Sequence, residues 1–389
     1  MKNKKGFLQG ALVGALVVFI IMGLVSCGII GAGRNIVSSD SEQKLSALRQ
    51  MIDENYLGEV DDSELTEGLY KGYMEALGDP YSEYYDEKET KELTESISGE
   101  FSGVGALLSQ NRDTGLITIT KVYENSPAMK AGLEDGDILY KVDGKDISGQ
   151  DLDQVVSGIR GEKGTKVKLT VLRGAEAEEI TVTAVRDIVE EQTIAYEMRE
   201  GKIGYLVISA FDTVTVKQYE EALRDLLEQG MKGIVIDLRN NPGGDLDAVC
   251  QMLDLILPEG VLVYTEDKEG TKKEYKSDKE DILDLPMTVL VNGNSASASE
   301  IFAGAVQDYG EGKIVGTQTY GKGVVQSIFM LRDGSSVKLT VSEYFTPKGR
   351  TINGKGITPD VKVEYKYDTK APTADNQLKK AIEELKKEM

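Results

Sequence analysis

From Lys202 onward the sequence alternates short apolar runs with longer amphipathic ones, and this alternation restricts the fold more than any other feature. Gly233–Leu238 and Met287–Val291 have the uninterrupted apolar character of buried strands, while Val216–Leu227 repeats apolar residues at helical spacing. Strands that alternate with helices are typical of α/β domains. We therefore expect residues 187–365 to form an α/β core.

The composition restricts the chemistry that such a core can perform. The chain has 389 residues, enough for two or three domains, and none of them is a histidine. This excludes a Ser–His–Asp triad, a Cys–His dyad and zinc sites built on imidazole, and we expect neither a metal nor a cofactor. A serine nucleophile would need another base, for which lysine is the usual substitute. The net charge of −21 disfavours nucleic acid as a partner.

An uncharged run from Gly6 to Gly33 follows a lysine-rich start. About 20 apolar residues suffice to span a bilayer, and the basic flank predicts that the N-terminus stays inside. We therefore interpret residues 1–37 as a transmembrane signal anchor of a single-pass protein of the cell membrane, with the remainder extracytoplasmic. Two alternatives stay open: a lipoprotein signal in which Cys27 is the lipid acceptor, and plain secretion.

Two polar segments flank the central part of the chain. Residues 38–98 repeat apolar residues at helical spacing, but they have too few to bury a large core alone. Residues 366–389 are expected to form a C-terminal helix. Both helical ends suggest contacts with a second copy of the chain, and hence a homodimer.

Residues 99–186 have the alternating strands of a compact β-domain with one helix at Leu152–Ile159. Ser126–Gly132 and Gly136–Gly144 carry the motif by which this segment resembles PDZ domains of bacterial proteases. The resemblance implies a groove between a strand and that helix, where a peptide adds as an extra strand. It also implies that the peptide's C-terminal carboxylate binds backbone amides of a loop, the alternative being an ordinary glycine-rich entry into a strand. The loop residues are Gly103, Val104, Gly105 and Ala106.

Three short motifs in the α/β segment could carry chemistry. Arg239–Gly244 follows a buried strand and ends in two glycines, which suits either an oxyanion hole or a tight turn. Asn292–Glu300 contains three alternating serines where a helix begins, and Ser297 with Glu300 also fits a plain capping box. Thr319–Gln326 places Lys322 between two glycines, where partial desolvation would lower its pKa and make it a base. The alternative for that lysine is an exposed loop position.

Taken together, these motifs resemble the carboxyl-terminal processing, or tail-specific, serine protease family. The turn Gly78–Ser82 and the stretch Gly356–Asp360 are similar to that family as well. The resemblance implies a ClpP/crotonase-like core and assigns a role to each matching residue. Ser297 would be the nucleophile, Lys322 the general base and Gln326 the residue that orients the lysine, and the oxyanion would be held by backbone amides of Ala298 and of the Gly243–Gly244 turn. Asp245 stands where the family more often has an apolar residue, and we expect it to cap the next helix.

The sequence therefore predicts a multidomain α+β protein with an N-terminal transmembrane helix. Its expected function is that of a serine endopeptidase that cleaves extracytoplasmic proteins near their free C-termini, with the PDZ-like domain recognising the tail. Arg160, which ends the PDZ-like helix, is a candidate regulatory residue; its alternative is a surface arginine. Two other functions are weighed: a non-catalytic peptide-binding protein, and an acyl-transfer enzyme of the acyl-CoA type.

Overall fold

The computed structural model describes residues 38–389, except 279–282, 368, 370, 372 and 373. The described residues divide into two compact units, with the boundary between Gly68 and Leu69. In the first unit, helix α1 spans Ser39–Asn55, and helix α2, Asp62–Glu75, begins before the boundary. No helix within the described residues combines the length and apolarity needed to cross a bilayer. The predicted anchor, residues 1–37, lies outside those residues.

The second unit begins with a short segment and a helix that precede the β-domain. Strand β1 spans Glu83–Tyr85, and helix α3 spans Glu87–Ser98. Asp86 caps α3 in a reciprocal capping box with Glu89, and Gly99 ends the helix in the left-handed conformation. This helix therefore has defined ends, and it leads directly into the PDZ-like segment.

The PDZ-like segment folds as a five-stranded antiparallel path with one extra strand at its edge. The order is β3-β4-β5-β7-β8, with β6 beside β5. The elements in this segment are β2 (Glu100–Gly103), β3 (Ala106–Gln110), β4 (Ile117–Val122), α4 (Pro127–Ala131), β5 (Ile138–Val142), β6 (Lys145–Asp146), α5 (Leu152–Ile159), β7 (Lys166–Arg173), β8 (Glu178–Val185) and β9 (Asp187–Glu190). Strands β2 and β9 pair with each other and form a ribbon at the base of the segment.

The α/β core is a six-stranded sheet with helices on both faces. Its elements are β10 (Ile194–Arg199), β11 (Ile203–Ile208), α6 (Thr213–Glu228), β12 (Gly233–Asp237), α7 (Leu246–Asp254), β15 (Met287–Val291), α8 (Ala298–Tyr309), β16 (Gly312–Gly316), β19 (Val361–Lys362) and α9 (Asn376–Leu385). The order is β10-β11-β12-β15-β16-β19, and only the β10–β11 pair is antiparallel.

Burial explains why the central strands are uniformly apolar. Every residue of β12 and β15 is buried. Residues such as Ile236 and Val289 pack with α6, α7 and α8 on one face, while Val235 and Leu290 pack with α9 on the other. Parallel strands covered on both faces lack the polar alternation of half-exposed strands. The carboxyl ends of β12 and β15 meet at one edge, where two of the sequence motifs begin.

A second sheet lies beside this edge. It consists of β13 (Gly260–Asp267), β14 (Lys272–Ser277), β17 (Val324–Met330), β18 (Ser336–Phe345) and the upstream strand β1. The long strand β18 pairs with β17, with β13 and with β1. This pairing brings the segment that precedes the PDZ-like domain next to the loop that carries Lys322.

Candidate active site

The glycine turn after β12 is organised by the side chain of Asn241. This residue is fully buried; its amide nitrogen donates to the Ile208 carbonyl at 2.9 Å, and its Oδ1 accepts the Gly243 N–H at 2.8 Å. Gly243 has a φ of 108°, and a Cβ at this position would lie 2.7 Å from the Ser297 Cβ. Only glycine allows the turn to approach the serine motif this closely.

The serine motif is joined to this turn by hydrogen bonds from two of its three hydroxyls. Ser295 Oγ donates to the Leu238 carbonyl at 2.8 Å, and Ser299 Oγ donates to the Asn241 carbonyl at 2.9 Å. Both serines are fully buried. The three serines looked equivalent in the sequence, but the structure distinguishes them. Ser295 and Ser299 use their hydroxyls to bind backbone carbonyls, whereas Ser297 does not.

Ser297 stands at the first turn of α8 in an unusual backbone conformation. Its φ is 54° and its ψ is −116°, outside the regions that most residues occupy. Its N–H donates to Glu300 Oε2 at 2.9 Å, and the Glu300 N–H donates to the Ser297 carbonyl at 2.8 Å. Ser297 and Glu300 thus have the arrangement of a capping box, although no hydrogen bond to the Ser297 hydroxyl itself is formed within the described residues. The hydroxyl therefore remains available at the mouth of the helix.

Glu300 connects the serine turn to the lysine loop. Its fully buried carboxylate accepts the N–H of Ser297 and, at 2.9 Å, the N–H of Lys322 on Oε2. Its Oε1 accepts the Thr319 hydroxyl at 2.6 Å and the Gly321 N–H at 2.7 Å. Burial raises the pKa of this carboxyl, and the four hydrogen bonds oppose that rise. One side chain thus fixes the backbone of both predicted catalytic residues.

Tyr344 on β18 makes a second connection between the same two residues. Its buried hydroxyl lies within hydrogen-bonding distance of the carbonyl oxygen of Ser297, at 3.1 Å, and of the carbonyl oxygen of Lys322. Burial raises the pKa of this phenol well above its usual value, so it remains a proton donor. Glu300 therefore bridges the backbone N–H groups of Ser297 and Lys322, and Tyr344 bridges their backbone carbonyl groups.

The lysine loop approaches the neighbouring chain closely. A Cβ on Gly323 would lie 2.2 Å from the backbone nitrogen of Asn353. The strand β17 starts only at Val324, so Lys322 precedes it in a loop. The side chain of Lys322 is half-buried, and burial lowers its pKa from the usual value; the Lys338 charge lowers it further, whereas Asp79 and Glu83 act in the opposite direction. The lowered pKa agrees with the desolvation predicted for this lysine, and the side chain is half-buried, unlike the exposed loop lysine that was the alternative.

Gln326 lies in the same region but has a different partner from the expected one. Its Nε2 donates to Thr340 Oγ1 on β18 at 3.3 Å. Within the described residues it forms no hydrogen bond with Lys322. The pairing of β17 with β18 shifts register between Val325 and Gln326, which turns the side chain toward the cavity. Gln326 and Lys322 therefore share a cavity without direct bonding in this conformation.

Two backbone amides beside Ser297 are unoccupied in the described part of the chain. The Ala298 amide opens α8, and the Gly244 amide follows the turn; neither donates a hydrogen bond there. The Gly243 amide, which the sequence also offered, is occupied by Asn241. Of the three amides predicted to hold an oxyanion, those of Gly244 and Ala298 are therefore free to donate in this conformation, and that of Gly243 is not. An Asx-turn in Asn241–Gly243 was the local signal that could have revealed it.

Residues from all three motifs line one cavity of about 380 Å³. Gly244, Ser297, Ala298, Lys322 and Gln326 contribute the polar part of the wall. The apolar part comes largely from Leu93, Ile97, Leu246, Ile301, Val325 and Ile328. Asp245 also faces the cavity and, as predicted, caps α7 by accepting the Ala248 N–H at 2.8 Å. A hydroxyl, a desolvated amine and two free amides around an apolar space are the groups that acyl transfer on a peptide requires.

The predicted carboxylate loop lines a separate cavity of about 190 Å³ between β3 and α5. Gly103, Val104, Gly105 and Ala106 form its rim together with Val156 and Ile159. In the described residues the amides of Val104 and Gly105 donate no hydrogen bond, whereas their carbonyls accept from Ala128 and Tyr123. The loop therefore presents donors, as a carboxylate site must.

Arg160 lines this groove and contacts the helix that borders the larger cavity. Its guanidinium stacks over the Phe101 ring, 4.8 Å from the centroid, and its Nη1 lies 3.6 Å from Glu95 on α3. Leu93 and Ile97 on the same helix line the cavity around Ser297. Arg160 and α3 thus form a continuous set of contacts from the PDZ-like helix to the Ser297 cavity.

Sequence reasoning missed three residues of this site. Glu300 was interpreted only as a helix-capping residue, and nothing local marks Tyr344; the turn Gly78–Ser82 was noted, but its Tyr81 was given no role. Tyr81 belongs to the turn Gly78–Ser82 and lies against the Lys322 amine. No cluster of three or more metal-ligating side chains occurs within the described residues.

Comparison with known proteins agrees with the motif assignment. Residues 202–363 match the model of peptidase family S41, residues 118–173 match a PDZ domain, and residues 31–90 match the N-terminal domain of the activating protease CtpB. A probable CtpA-like serine protease of Staphylococcus saprophyticus is 38% identical over 336 residues, which cover 86% of this chain and 67% of the relative. A protein of the same description from Staphylococcus epidermidis is 36% identical over 373 residues, covering 94% and 75%.

A solved structure of a putative S41 protease from Bacteroides fragilis has the same fold, with a TM-score of 0.53 at 17% identity over 86% of this chain and 91% of that one. The chain therefore belongs to the carboxyl-terminal processing serine proteases, peptidase family S41, and it is a serine peptidase that carries a PDZ domain. The resemblance predicted from the motifs is confirmed at this level.

Proposed function

We propose that the protein is an endopeptidase whose catalytic dyad is Ser297 and Lys322. The observation that carries this proposal is the double bridge by Glu300 and Tyr344, which fixes both backbones beside one cavity. The free hydroxyl of Ser297 supports the nucleophile role. The lowered pKa of Lys322 supports the role of base, because a neutral amine is needed to accept a proton.

The reaction balances without histidine. Lys322 Nζ accepts the Ser297 Oγ proton as Oγ bonds to the scissile carbonyl carbon, and the carbonyl oxygen becomes an oxyanion between the Gly244 and Ala298 amides. The ammonium then gives its proton to the leaving amine as the C–N bond breaks. Water, deprotonated by the same lysine, cleaves the acyl-enzyme and restores the Ser297 hydroxyl. Gln326 would orient the lysine after a small movement from Thr340.

Substrates would be proteins with free C-termini, recognised in the PDZ groove. The unoccupied Val104 and Gly105 amides and the apolar wall of that groove support carboxylate and side-chain binding respectively. The contacts of Arg160 with Phe101 and Glu95 favour a regulatory role in which groove occupancy reaches the cavity through α3.

The setting of the enzyme follows from the sequence alone. The apolar run before Gly33 favours a membrane-anchored protein acting outside the cytoplasm, with lipid attachment at Cys27 as the alternative. A homodimer through the helical ends and a ClpP/crotonase-like core stay predictions.

The dyad is tested with the protein and a peptide that has a free apolar C-terminus. Ser297→Ala and Lys322→Ala should each lower kcat/KM by about 10³-fold or more, because either change removes the unit that forms the acyl-enzyme. Ser148→Ala, the same change at an exposed serine of the PDZ domain, should leave cleavage unchanged. Mass spectrometry of the products measures cleavage. Full activity in either dyad variant contradicts the assignment, and tight binding without cleavage by the wild-type protein would favour the non-catalytic alternative.

A further inference from the structure

The amine of Lys322 lies over the aromatic ring of Tyr81. Its Nζ is 4.5 Å from the ring centroid, within the range of a cation–π contact. Tyr81 is half-buried and belongs to the turn Gly78–Ser82, upstream of the PDZ domain. A residue remote in sequence from the dyad thus contacts its reacting nitrogen.

The two carboxylates that act electrostatically on the Lys322 amine, those of Asp79 and Glu83, form no ion pair with it in the described part of the chain. Within the described residues Lys322 forms no side-chain hydrogen bond and no ion pair, and Glu300 accepts only its backbone N–H. Lys338, the nearest other cation in the cavity wall, is held by Glu83 at 2.7 Å and by the Tyr85 hydroxyl. The ring face of Tyr81 is therefore the group that meets the charge of Lys322 in this conformation.

The turn that carries Tyr81 is held rigidly against the second sheet. Asp79 accepts the Tyr81 N–H at 3.1 Å and the Ser82 hydroxyl at 2.6 Å. The Ser82 Oγ in turn accepts the Thr340 N–H at 3.0 Å, and Thr340 Oγ1 accepts from Gln326. The strand that follows the turn pairs with β18. These bonds fix the position of the ring relative to Lys322 and to Gln326.

We propose that Tyr81 is a positioning residue of the dyad, whose ring holds the ammonium that Lys322 becomes when it takes the proton of Ser297. A histidine triad uses a carboxylate to stabilise the protonated base. Here an aromatic face performs that task, and it does so without the full counter-charge that would keep the amine protonated in the resting enzyme. The inference rests on the proposed Ser297–Lys322 dyad.

Several charged or titratable groups also surround the amine, and the test must separate Tyr81 from them. Asp79, Glu83 and Lys338 act on the amine itself. Tyr320 and Glu300 act on the Tyr81 ring, and Tyr85, Asp245 and Tyr344 lie on neighbouring groups or in the cavity wall. Changing Tyr81 alone leaves these charges in place. A change in the pKa of Lys322 would therefore measure the effect of the Tyr81 ring.

The proposal predicts a specific change in the pH profile of kcat/KM. Without the ring the ammonium is less stable, so the acid limb should move to lower pH by about 0.5–1 unit. On the alkaline plateau the rate should fall by about 3–10-fold, because the ammonium formed during reaction loses its partner. Well below the limb the rate should change little, since the amine is already protonated before reaction.

The experiment compares wild type, Tyr81→Leu and Tyr81→Phe over a pH series that spans the limb. Tyr81→Phe keeps the ring and should keep the limb in the wild-type position. Tyr140→Leu is the matched control, because it removes another lysine–tyrosine contact, in which Lys141 lies 4.3 Å from the ring centroid, on the PDZ domain. That control should leave the limb unmoved. A loss by Tyr81→Leu that is equal at every pH indicates general damage and overturns the proposal.

A second measurement tests the effect of the Tyr81 ring on the pKa of Lys322 independently of catalysis. The pH dependence of acylation of Lys322 by a small amine-reactive reagent, followed by mass spectrometry, reports its pKa in Ser297→Ala with and without Tyr81→Leu. A lower Lys322 pKa in the double variant supports the proposal, and identical values overturn it. Full cleavage by Lys322→Ala would instead refute the dyad, so the two failures are distinguishable.

Discussion

At the scale of single residues, the geometry of the proposed dyad depends on Glu300. Four protein donors, in place of water, bind the buried carboxylate of Glu300. Two of these donors are the backbone N–H groups of Ser297 and Lys322. An N-cap interaction explains only one of these bonds. The remaining three span the gap between two loops, which suggests that the carboxylate sets the distance between nucleophile and base.

Glu300→Gln tests this role. The amide keeps one acceptor oxygen and points an NH₂ group at two of the four donors, so we expect the free energy of unfolding to fall by about 2–4 kcal/mol. The distance between Ser297 and Lys322 should change as well, and we expect kcat/KM to fall by about 10²-fold. Glu311→Gln, the same change at an exposed position, should alter neither quantity. Denaturant unfolding and peptide cleavage measure the two effects, and an unchanged cleavage rate in a folded Glu300→Gln enzyme would contradict the role.

Individual elements differ in how far the sequence predicted them. The strands Met287–Val291 and Gly233–Asp237 followed from uninterrupted apolar runs, and the three motifs at their ends followed from small residues and glycines in local turns. These features depend only on residues that are close together in the sequence. The contacts of Tyr81 and Tyr344 with Lys322 depend instead on the pairing of β1 and β17 with β18, which no local pattern encodes. Gln326 likewise bonds to Thr340 because of that pairing.

Helix α3 is the element through which we expect the PDZ domain to affect cleavage. Arg160→Met keeps an apolar stem over Phe101 but removes the charge that faces Glu95. The exposed ion pair alone is worth little for stability, about 0.2–1 kcal/mol. A regulatory role predicts a larger effect on kcat, about 5–20-fold lower, with unchanged affinity of the PDZ groove for a tail peptide. Lys163→Met, which breaks the nearby pair with Asp187, is the matched control.

Steady-state cleavage and calorimetric binding of a tail peptide measure the two quantities in the Arg160→Met protein. Equal losses of affinity and kcat would mean that Arg160 supports the groove itself. An unchanged kcat would mean that it is a surface arginine.

At the scale of the whole molecule, the proposed function requires two cavities to bind one substrate. The groove of about 190 Å³ offers free amides and an apolar wall, and the cavity of about 380 Å³ holds the candidate dyad. Neither cavity alone distinguishes a protein tail from any other extended peptide. Together they would require a free C-terminus in one and a scissile bond in the other, which makes the position of the cut depend on the distance from the end of the chain.

Amidation of the substrate's C-terminus tests this division of labour. The amide keeps the peptide's shape but removes the charge that the Val104 and Gly105 amides would bind, and charge-assisted hydrogen bonds are worth about 1.5–3 kcal/mol. We therefore expect kcat/KM to fall by about 10–100-fold for a tail peptide that carries a C-terminal amide. The same peptide with its N-terminus acetylated is the matched control and should be cleaved as before. Equal cleavage of the amidated and free peptides would show that tail recognition does not pass through the PDZ groove, while leaving the Ser297–Lys322 chemistry intact.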